Sequence, residues 1–180
     1  MVISNNSINV STMDNEISTP SQVQCLGNTE NKFRVRAEPH FLLASPTASQ
    51  LTLGHYTATN THACFRVHIF SELSVNPVDY RLVALETMVG GRHLYGSPTG
   101  NNIYIRPGSE NLSTLTETDD RFFRLFQQPG DRYHYLRHHH SGKIVAASGS
   151  EVTLVDHPGA PQTHMLFEKF PCTTNTTSSS

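Results

Sequence analysis

Residues 43–53 read LASPTASQLTL, and residues 95–105 read YGSPTGNNIYI, so that the two segments align without a gap. A third copy, AASGSEVTL at residues 146–154, is two residues shorter. Each copy predicts a strand, a tight turn and a second strand in which two apolar residues flank a polar one. That alternation is typical of a β-hairpin with one buried face. The chain therefore repeats one hairpin three times.

A second shared element follows each hairpin. Residues 61–67 read THACFRV and residues 163–169 read THMLFEK, while DDRFFRL stands at residues 119–125 in the middle copy. This alignment makes Phe65, Phe123 and Phe167 equivalent. An alternating strand also opens each unit, at residues 33–36, 80–84 and 133–137. The repeat is thus a unit of four short strands over roughly 40 to 50 residues.

Three four-stranded units predict an all-β fold, a β-trefoil with pseudo-threefold symmetry, because propellers usually close with about four or more blades. In that fold six strands form a short barrel and six form hairpins that cap its wider end. The residues predicted to fill the core are Val35, Leu43, Leu51, Phe65, Leu82, Tyr95, Ile103, Phe123, Leu136, Val145, Val152 and Phe167. A β-sandwich is the alternative fold, but it predicts no threefold self-similarity.

The predicted domain covers residues 33–171, with units at about 33–79, 80–132 and 133–171. Residues 1–32 and 172–180 are rich in Asn, Ser and Thr and poor in apolar residues. Such segments cannot bury enough apolar surface to offset the entropic cost of ordering them. We therefore expect disordered tails at both ends.

The chain has no basic and apolar leader and no stretch near 18 apolar residues, so we expect neither a secretory signal nor a membrane span. The default location is the cytoplasm, with non-classical export left open. Cys25, Cys64 and Cys172 are odd in number and widely spaced, which is not the pattern of a disulfide framework.

Charge and motifs argue for a binding protein. The 13 Lys and Arg residues against 15 Asp and Glu give a formal charge of -2, which provides no general attraction to nucleic acid. The chain lacks the nucleophile elbow, the zinc-protease motif, the P-loop and the dinucleotide-binding motif. We therefore expect no enzymatic activity and no cofactor.

Eleven histidines are present, three of them consecutive at His138-His139-His140. Adjacent residues of a strand point to opposite faces, so this run offers two imidazoles to one face at most. Structural zinc sites use about four ligands, and we therefore predict no metal site here. The run is interpreted as a solvated strand end beside the Ser141-Gly142 turn.

Candidate ligand-binding residues lie in the loops between each hairpin and the strand that follows it. Recognition of a sugar needs carboxylate or amide acceptors, an imidazole and an apolar face. The best predicted set is Asp156, His157 and His164 in the third unit. The other candidates are His55, Tyr56, Asn60 and His62 in the first unit and Glu117, Asp119 and Asp120 in the second. The alternative reading is turn formation and ordinary loop solvation.

The segment YHYLRHHHSGKIV at residues 133–145, with the later Leu166-Phe167, resembles the repeat of β-trefoil lectins of the bivalve galactose-binding type. The His-Pro-x-Gly-Gly motif of those lectins is replaced by AASGS at residues 146–150, and the absence of Trp excludes the ricin-type Gln-x-Trp signature. The resemblance therefore implies a carbohydrate ligand without its identity. The same segment resembles fascin and the histidine-rich actin-binding trefoils, which share Gly-Lys turns.

Two hypotheses follow. The leading one is a non-catalytic carbohydrate-binding β-trefoil with up to three shallow, metal-independent sites for glycans or glycoproteins. The alternative is a protein-interaction module of the fascin, cytokine or inhibitor kind, with actin or a receptor as its partner.

Overall fold

The computed structural model describes residues 23–57, 61–71, 80–108 and 111–172. These residues form twelve strands: β1 (Gln24–Val35), β2 (Phe41–Leu43), β3 (Thr52–Gly54), β4 (Phe65–Ser71), β5 (Tyr80–Thr87), β6 (Arg92–Gly96), β7 (Ile103–Pro107), β8 (Phe123–Gln127), β9 (Tyr133–His138), β10 (Ile144–Ser148), β11 (Glu151–Val155) and β12 (Phe167–Pro171). Three short 3-10 helices cover Thr61–Ala63, Leu112–Thr114 and Thr163–Met165. Among the described residues, no helix is long and apolar enough to cross a membrane.

Six strands close into a barrel. Each pairs antiparallel with the next in the order β1, β4, β5, β8, β9 and β12, and β12 returns to pair with β1. The other six strands form the hairpins β2–β3, β6–β7 and β10–β11. Both the all-β prediction and the repeat of four strands are confirmed.

The three hairpins are joined by backbone hydrogen bonds that repeat around the barrel. The second half of each hairpin contains the repeated apolar-polar-apolar triplet. The backbone amide of the last residue in this triplet donates a hydrogen bond to a carbonyl in the hairpin turn of a neighbouring unit. The three donor and acceptor pairs are Ile105 to Ser49 at 2.7 Å, Leu154 to Asn101 at 2.7 Å and Leu53 to Ser150 at 3.0 Å. Each unit donates once and accepts once, so the set closes on itself.

A second set of three hydrogen bonds links each unit to the next at the barrel strands. The carbonyl of the residue before each equivalent phenylalanine accepts from the amide that follows the next barrel strand. The pairs are Met88 to Cys64 at 3.4 Å, His139 to Phe122 at 2.9 Å and Arg36 to Leu166 at 2.8 Å. The two sets give the backbone its pseudo-threefold repeat.

The three equivalent phenylalanines are buried in the main core. They face Val35, Thr87 and His138 on the neighbouring strands, which makes those three positions equivalent as well. Nine of the twelve predicted core residues lie in this cluster. Leu43 and Tyr95 are half-buried, and Leu42 and Leu94 take their core positions instead. Leu82 is buried in a separate cluster, while Val83 faces the main core. These errors arise because a shift of one residue along a strand exchanges its two faces.

The domain extends beyond the predicted limits at both ends. Strand β1 begins at Gln24, which pairs with Ser71 of β4, so residues 24–32 are not a disordered tail. The amide of Cys172 donates to the carbonyl of Glu30 at 3.0 Å, so this residue belongs to the domain too. Residues 1–22 and 173–180, the remainder of the predicted tails, lie outside the described residues.

A disulfide joins Cys64 and Cys172, whose Cα atoms are 6.1 Å apart across a sequence separation of 108 residues. The expectation of no disulfide framework is therefore wrong for this pair, and Cys25 remains a free thiol. The bridge connects the residue before β4 to the residue after β12, and both of those strands pair with β1. It therefore links the two strands on either side of the first barrel strand.

Removing the bridge with Cys64→Ser/Cys172→Ser should lower the free energy of unfolding by about 2–5 kcal/mol, because a cross-link over a loop of roughly 100 residues restricts the unfolded chain strongly. Urea unfolding in oxidising buffer measures the effect. Cys25→Ser is the matched control and should retain the wild-type midpoint. Equal midpoints for the double variant and the control would show that the bridge contributes nothing.

Candidate functional site

The predicted set in the third unit does not converge. Asp156 is exposed, and among the described residues no hydrogen bond or ring contact joins it to His157 or His164. Nδ1 of His157 accepts a hydrogen bond from the amide of Gly159 at 3.1 Å, and its ring lies edge-on to Tyr135. His157 therefore shapes its own turn, which is the alternative that the sequence left open.

The predicted carboxylates of the second unit are largely occupied by structural contacts. Asp119 accepts hydrogen bonds from the backbone amide, Nε and Nη2 of Arg121 at 2.9, 2.8 and 2.9 Å. Burial opposes ionisation of Asp119, but the hydrogen bonds from Arg121 outweigh it and lower the pKa of the carboxyl. Asp120 contacts His140 through Oδ1 at 2.9 Å, and Glu117 is half-buried. Two of the three predicted carboxylates, those of Asp119 and Asp120, are therefore paired within the protein.

His138 is fully buried, which corrects the prediction of a solvated strand end. Its Nε2 lies 3.2 Å from the carbonyl of Asp120, and its Nδ1 lies 2.8 Å from the hydroxyl of Ser141. Because a carbonyl can only accept, Nε2 carries the proton and Nδ1 accepts from the serine. Both nitrogens of the neutral ring are therefore satisfied.

The His138 ring requires a glycine beside it. A Cβ at Gly96 would lie 2.4 Å from the ring, closer than carbon atoms approach. The other two units have Ala44 and Ala147 at this hairpin position and the smaller Val35 and Thr87 at the position of His138. The middle hairpin thus has a glycine in place of alanine, and the barrel position beside it has the larger His138.

Gly96→Ala should destabilise the protein by about 1–3 kcal/mol, the usual cost of overpacking a core. His138→Thr, which restores the residue type of an equivalent position, should remove most of that cost in the double variant. A double-mutant cycle measured by urea unfolding tests this coupling. Additive effects of the two substitutions would contradict the proposed steric relation.

Stability should fall as the pH drops below about 6.5, the histidine pKa of an unfolded chain. Burial lowers the pKa of His138, and nearby His140 and His139 add to this, although the carbonyl and carboxylate of Asp120 oppose it. Between the two pKa values the unfolded chain binds more protons than the folded one, so acidification favours unfolding. His93 is also buried and His134 is half-buried, and because both have lowered pKa values they act in the same direction.

Urea midpoints measured at about pH 7.5 and about pH 5.5 check this linkage. His138→Thr should show a smaller difference between the two midpoints than wild type. His55→Gln removes one exposed imidazole and serves as the control. A His138→Thr chain with the full wild-type difference would exclude His138 as a contributor.

Only the first unit brings predicted residues into one surface. We define the Tyr56 face as the half-buried Lys32, Arg34, His40, Phe41, Tyr56 and Phe170 with the exposed His55. The rings of Tyr56 and Phe41 lie 5.4 Å apart between centroids, and those of Phe41 and Phe170 lie 6.2 Å apart. The ring of His55 is 4.6 Å from that of His40.

Cations lie over these rings. Nζ of Lys32 is 3.8 Å from the centroid of Tyr56, and the guanidinium of Arg34 is 5.0 Å from that of Phe170. Arg34 also forms an ion pair with Glu168. In the part of the chain that the structure describes, no carboxylate lies within ion-pair distance of Lys32. The ammonium group therefore remains able to bind an anionic group.

Strand register builds the Tyr56 face. Alternation along β1 directs Phe33 and Val35 into the core, and Lys32 and Arg34 point outward. Lys32 lies opposite Phe170 of β12, and Arg34 lies opposite Phe41 of β2. Five members were not predicted from the sequence: His40, just before β2, and Lys32, Arg34, Phe41 and Phe170, which lie on strands far apart in the chain. The outward alternation along β1 was the only available signal.

The remaining predictions for the first unit have separate outcomes. His62 lies in the first 3-10 helix, where its carbonyl accepts a hydrogen bond from the amide of Ala44 at 2.9 Å. Asn60 lies outside the described residues.

The side chains of the histidine run, His138 to His140, form contacts with other residues of the protein. His139 accepts a hydrogen bond from Nε of Arg124 at 3.0 Å, in addition to the contacts of His138 and His140. Among the described residues, the side chains that could hold a metal ion are instead His68, Glu86 and His93, whose potential ligand atoms all lie within 4.8 Å of one another. The sequence prediction missed them because they lie on three different strands.

Three solved structures are similar to this fold. The designed threefold-symmetric protein ThreeFoil has a TM-score of 0.57 at 19% identity, over 78% of this chain and 96% of that one. A variant of Gallus interleukin-1 beta has a TM-score of 0.63 at 10% identity, over 82% and 99%. A Culex salivary protein of the Cysteine and Tryptophan-Rich family has a TM-score of 0.58 at 10% identity, over 81% and 94%.

The barrel, the hairpins and these likenesses define the chain as a β-trefoil protein. At such low identities the likeness concerns the fold alone. Neither the profiles of known families nor the sequences of curated proteins match this chain.

Proposed function

We propose that this protein is a non-catalytic, carbohydrate-binding β-trefoil and that the Tyr56 face is its principal site. The observation that carries the proposal is the half-buried aromatic group of Phe41, Tyr56 and Phe170 with Lys32 above it and imidazoles beside it. In the second predicted loop set, by contrast, the carboxylates of Asp119 and Asp120 are paired with Arg121 and His140.

The chemistry of this face suits a sugar. An aromatic ring offers an apolar surface to the C–H groups of a pyranose, and an imidazole either donates to or accepts from a hydroxyl. The ammonium of Lys32 adds three donors and a positive charge. A carboxylate-bearing sugar such as a sialylated glycan would satisfy that charge through a charge-assisted hydrogen bond.

The arrangement also argues against a polysulfated ligand. Arg34 and Arg132 share the carboxylate of Glu168, and Arg36 lies 3.4 Å from Asp131, so these cations are already partly neutralised. A long polyanion binds through a dense, uncompensated array of cations. We therefore favour one short acidic glycan over heparin-like chains.

Tyr56→Ala should weaken binding to a sialylated glycan by about tenfold, because loss of the ring removes both the stacking surface and the support for Lys32. A glycan array of galactose, mannose and sialylated families, followed by titration calorimetry, measures the change. Tyr104→Ala is the matched control, since Tyr104 is also half-buried beneath an arginine, Arg106, at 4.3 Å.

Asp156→Ala should bind as wild type does, which separates the Tyr56 face from the third-unit loop. A blank array across all three sugar families would contradict the proposed function. Equal losses for Tyr56→Ala and Tyr104→Ala would contradict the proposed site.

The protein-interaction alternative suits an exported protein, as the glycan-binding function does. Disulfides persist in oxidising compartments and are rare in the cytosol. The Cys64–Cys172 bridge therefore supports export, in contrast to the cytoplasmic location expected from the sequence. An exported β-trefoil could bind a receptor protein, and binding to such a partner that survives Tyr56→Ala would favour this alternative.

A further inference from the structure

Three potential metal ligands lie side by side on the outer face of β4, β5 and β6. Nε2 of His68 is 2.7 Å from Oε2 of Glu86. Glu86 lies opposite His93 in the pairing of β5 with β6, and the centroids of the two imidazoles are 6.2 Å apart. The three side chains therefore present their ligand atoms to one small volume.

The imidazole of His93 is buried without hydrogen-bond partners. It is 4% exposed, and neither of its ring nitrogens has a hydrogen-bond partner. Gly108 covers the ring so closely that a Cβ there would lie 2.0 Å from Nδ1. Burying an imidazole without partners is costly, and a bound metal ion would satisfy one of the two nitrogens.

The pseudo-threefold repeat shows that the fold does not require these side chains. The register of the barrel and hairpin strands assigns each of them two equivalents in the other units. His93 corresponds to Phe41 and Ile144, His68 to Phe170 and Phe126, and Glu86 to Arg34 and Arg137. Two positions that are apolar in both other units are thus imidazoles here, and a position that is cationic in both is a carboxylate.

The ion pair beside the site is exchanged in the same way. Where the third unit meets the first, Arg34 of β1 forms an ion pair with Glu168 of β12. At the equivalent positions Glu86 of β5 lies 3.4 Å from Arg66 of β4. At this site the carboxylate lies on β5, the strand that faces His93 of the hairpin. At the equivalent site the strand that faces the hairpin is β1, which carries Arg34, and the carboxylate lies on β12.

We propose that His68, Glu86 and His93 form a binding site for a divalent transition-metal ion of the zinc class. Two imidazoles and one carboxylate are a ligand set that zinc uses with a fourth position open to water, whereas Mg²⁺ and Ca²⁺ prefer oxygen ligands throughout. The ion would connect the last strand of the first unit to the first barrel strand and the hairpin of the second.

The charges around the site allow a cation to bind but do not favour very tight binding. Arg66 lies close to both Glu86 and Glu30, at 3.4 and 3.6 Å. Arg121, near His93, is neutralised by Asp119. These two guanidinium groups each have a carboxylate partner, whereas that of Arg106, which lies opposite His93 in the pairing of β6 with β7, lies over the ring of Tyr104.

The full chain is titrated with Zn²⁺ by calorimetry after treatment with EDTA, and with Co²⁺, whose visible absorption reports its coordination. We expect one site per chain, a Co²⁺ spectrum typical of low coordination number and a higher thermal midpoint in Zn²⁺ than in EDTA. Absence of saturable binding of either ion would overturn the proposal.

His93→Phe introduces the residue that the first unit carries at this position, and it should weaken Zn²⁺ binding by at least about tenfold. Glu86→Gln preserves both rings and should also lose the Co²⁺ spectrum, which keeps the test decisive if His93→Phe fails to fold. His134→Gln is the matched control, because His134 is another histidine with a buried nitrogen that lacks a partner.

His140→Gln tests the histidine run as a source of adventitious binding. Retention of the Co²⁺ spectrum in His134→Gln and His140→Gln, with its loss in His93→Phe and Glu86→Gln, supports the site. Loss of the spectrum in His140→Gln with retention in Glu86→Gln would overturn it.

Discussion

Three backbone hydrogen bonds between neighbouring hairpins constrain the whole domain. Each hairpin donates from its second strand to the turn of another, through Ile105, Leu154 and Leu53, and the set closes only when all three units are present. An isolated two-stranded hairpin is marginal in water, so each one depends on its neighbours. This dependence explains why the hairpins retain a recognisable common sequence, while the loops that carry no such bond have diverged.

A shared backbone leaves the outward side chains free to differ. The equivalent positions hold Phe41, Phe170 and Arg34 where the third unit meets the first, and His93, His68 and Glu86 where the first unit meets the second. One framework therefore presents an aromatic surface in one place and a set of potential metal ligands in the other. The core is less permissive, because its volume is shared among all three units. Where His138 enters the barrel, Gly96 compensates for its size in the adjoining hairpin.

The loops that looked most like binding sites mainly stabilise the domain. Asp119 holds Arg121, Asp120 holds His140, and His157 closes its own turn. A short polar side chain in a loop satisfies backbone and charged groups as readily as it binds a ligand, and residue type alone does not separate the two uses. Of the Tyr56 face, only His55 and Tyr56 were predicted, and these two are adjacent in the chain. Phe41 and Phe170 could not be predicted with them, because they meet only after β1 pairs with both β2 and β12.

The sequence by itself determined the repeated four-stranded unit, the equivalence of Phe65, Phe123 and Phe167, and hence the β-trefoil, because strand alternation and turn residues are local signals that recur at fixed spacing. It determined the inward faces less well, as Leu42 and Leu43 show, since both neighbours are apolar and only packing selects between them. Tertiary structure alone decided the Cys64–Cys172 bridge, the burial of His138 and the approach of His68 to His93. Each depends on residues that are distant in the chain, and their proximity depends on barrel closure and strand register, which no local pattern encodes.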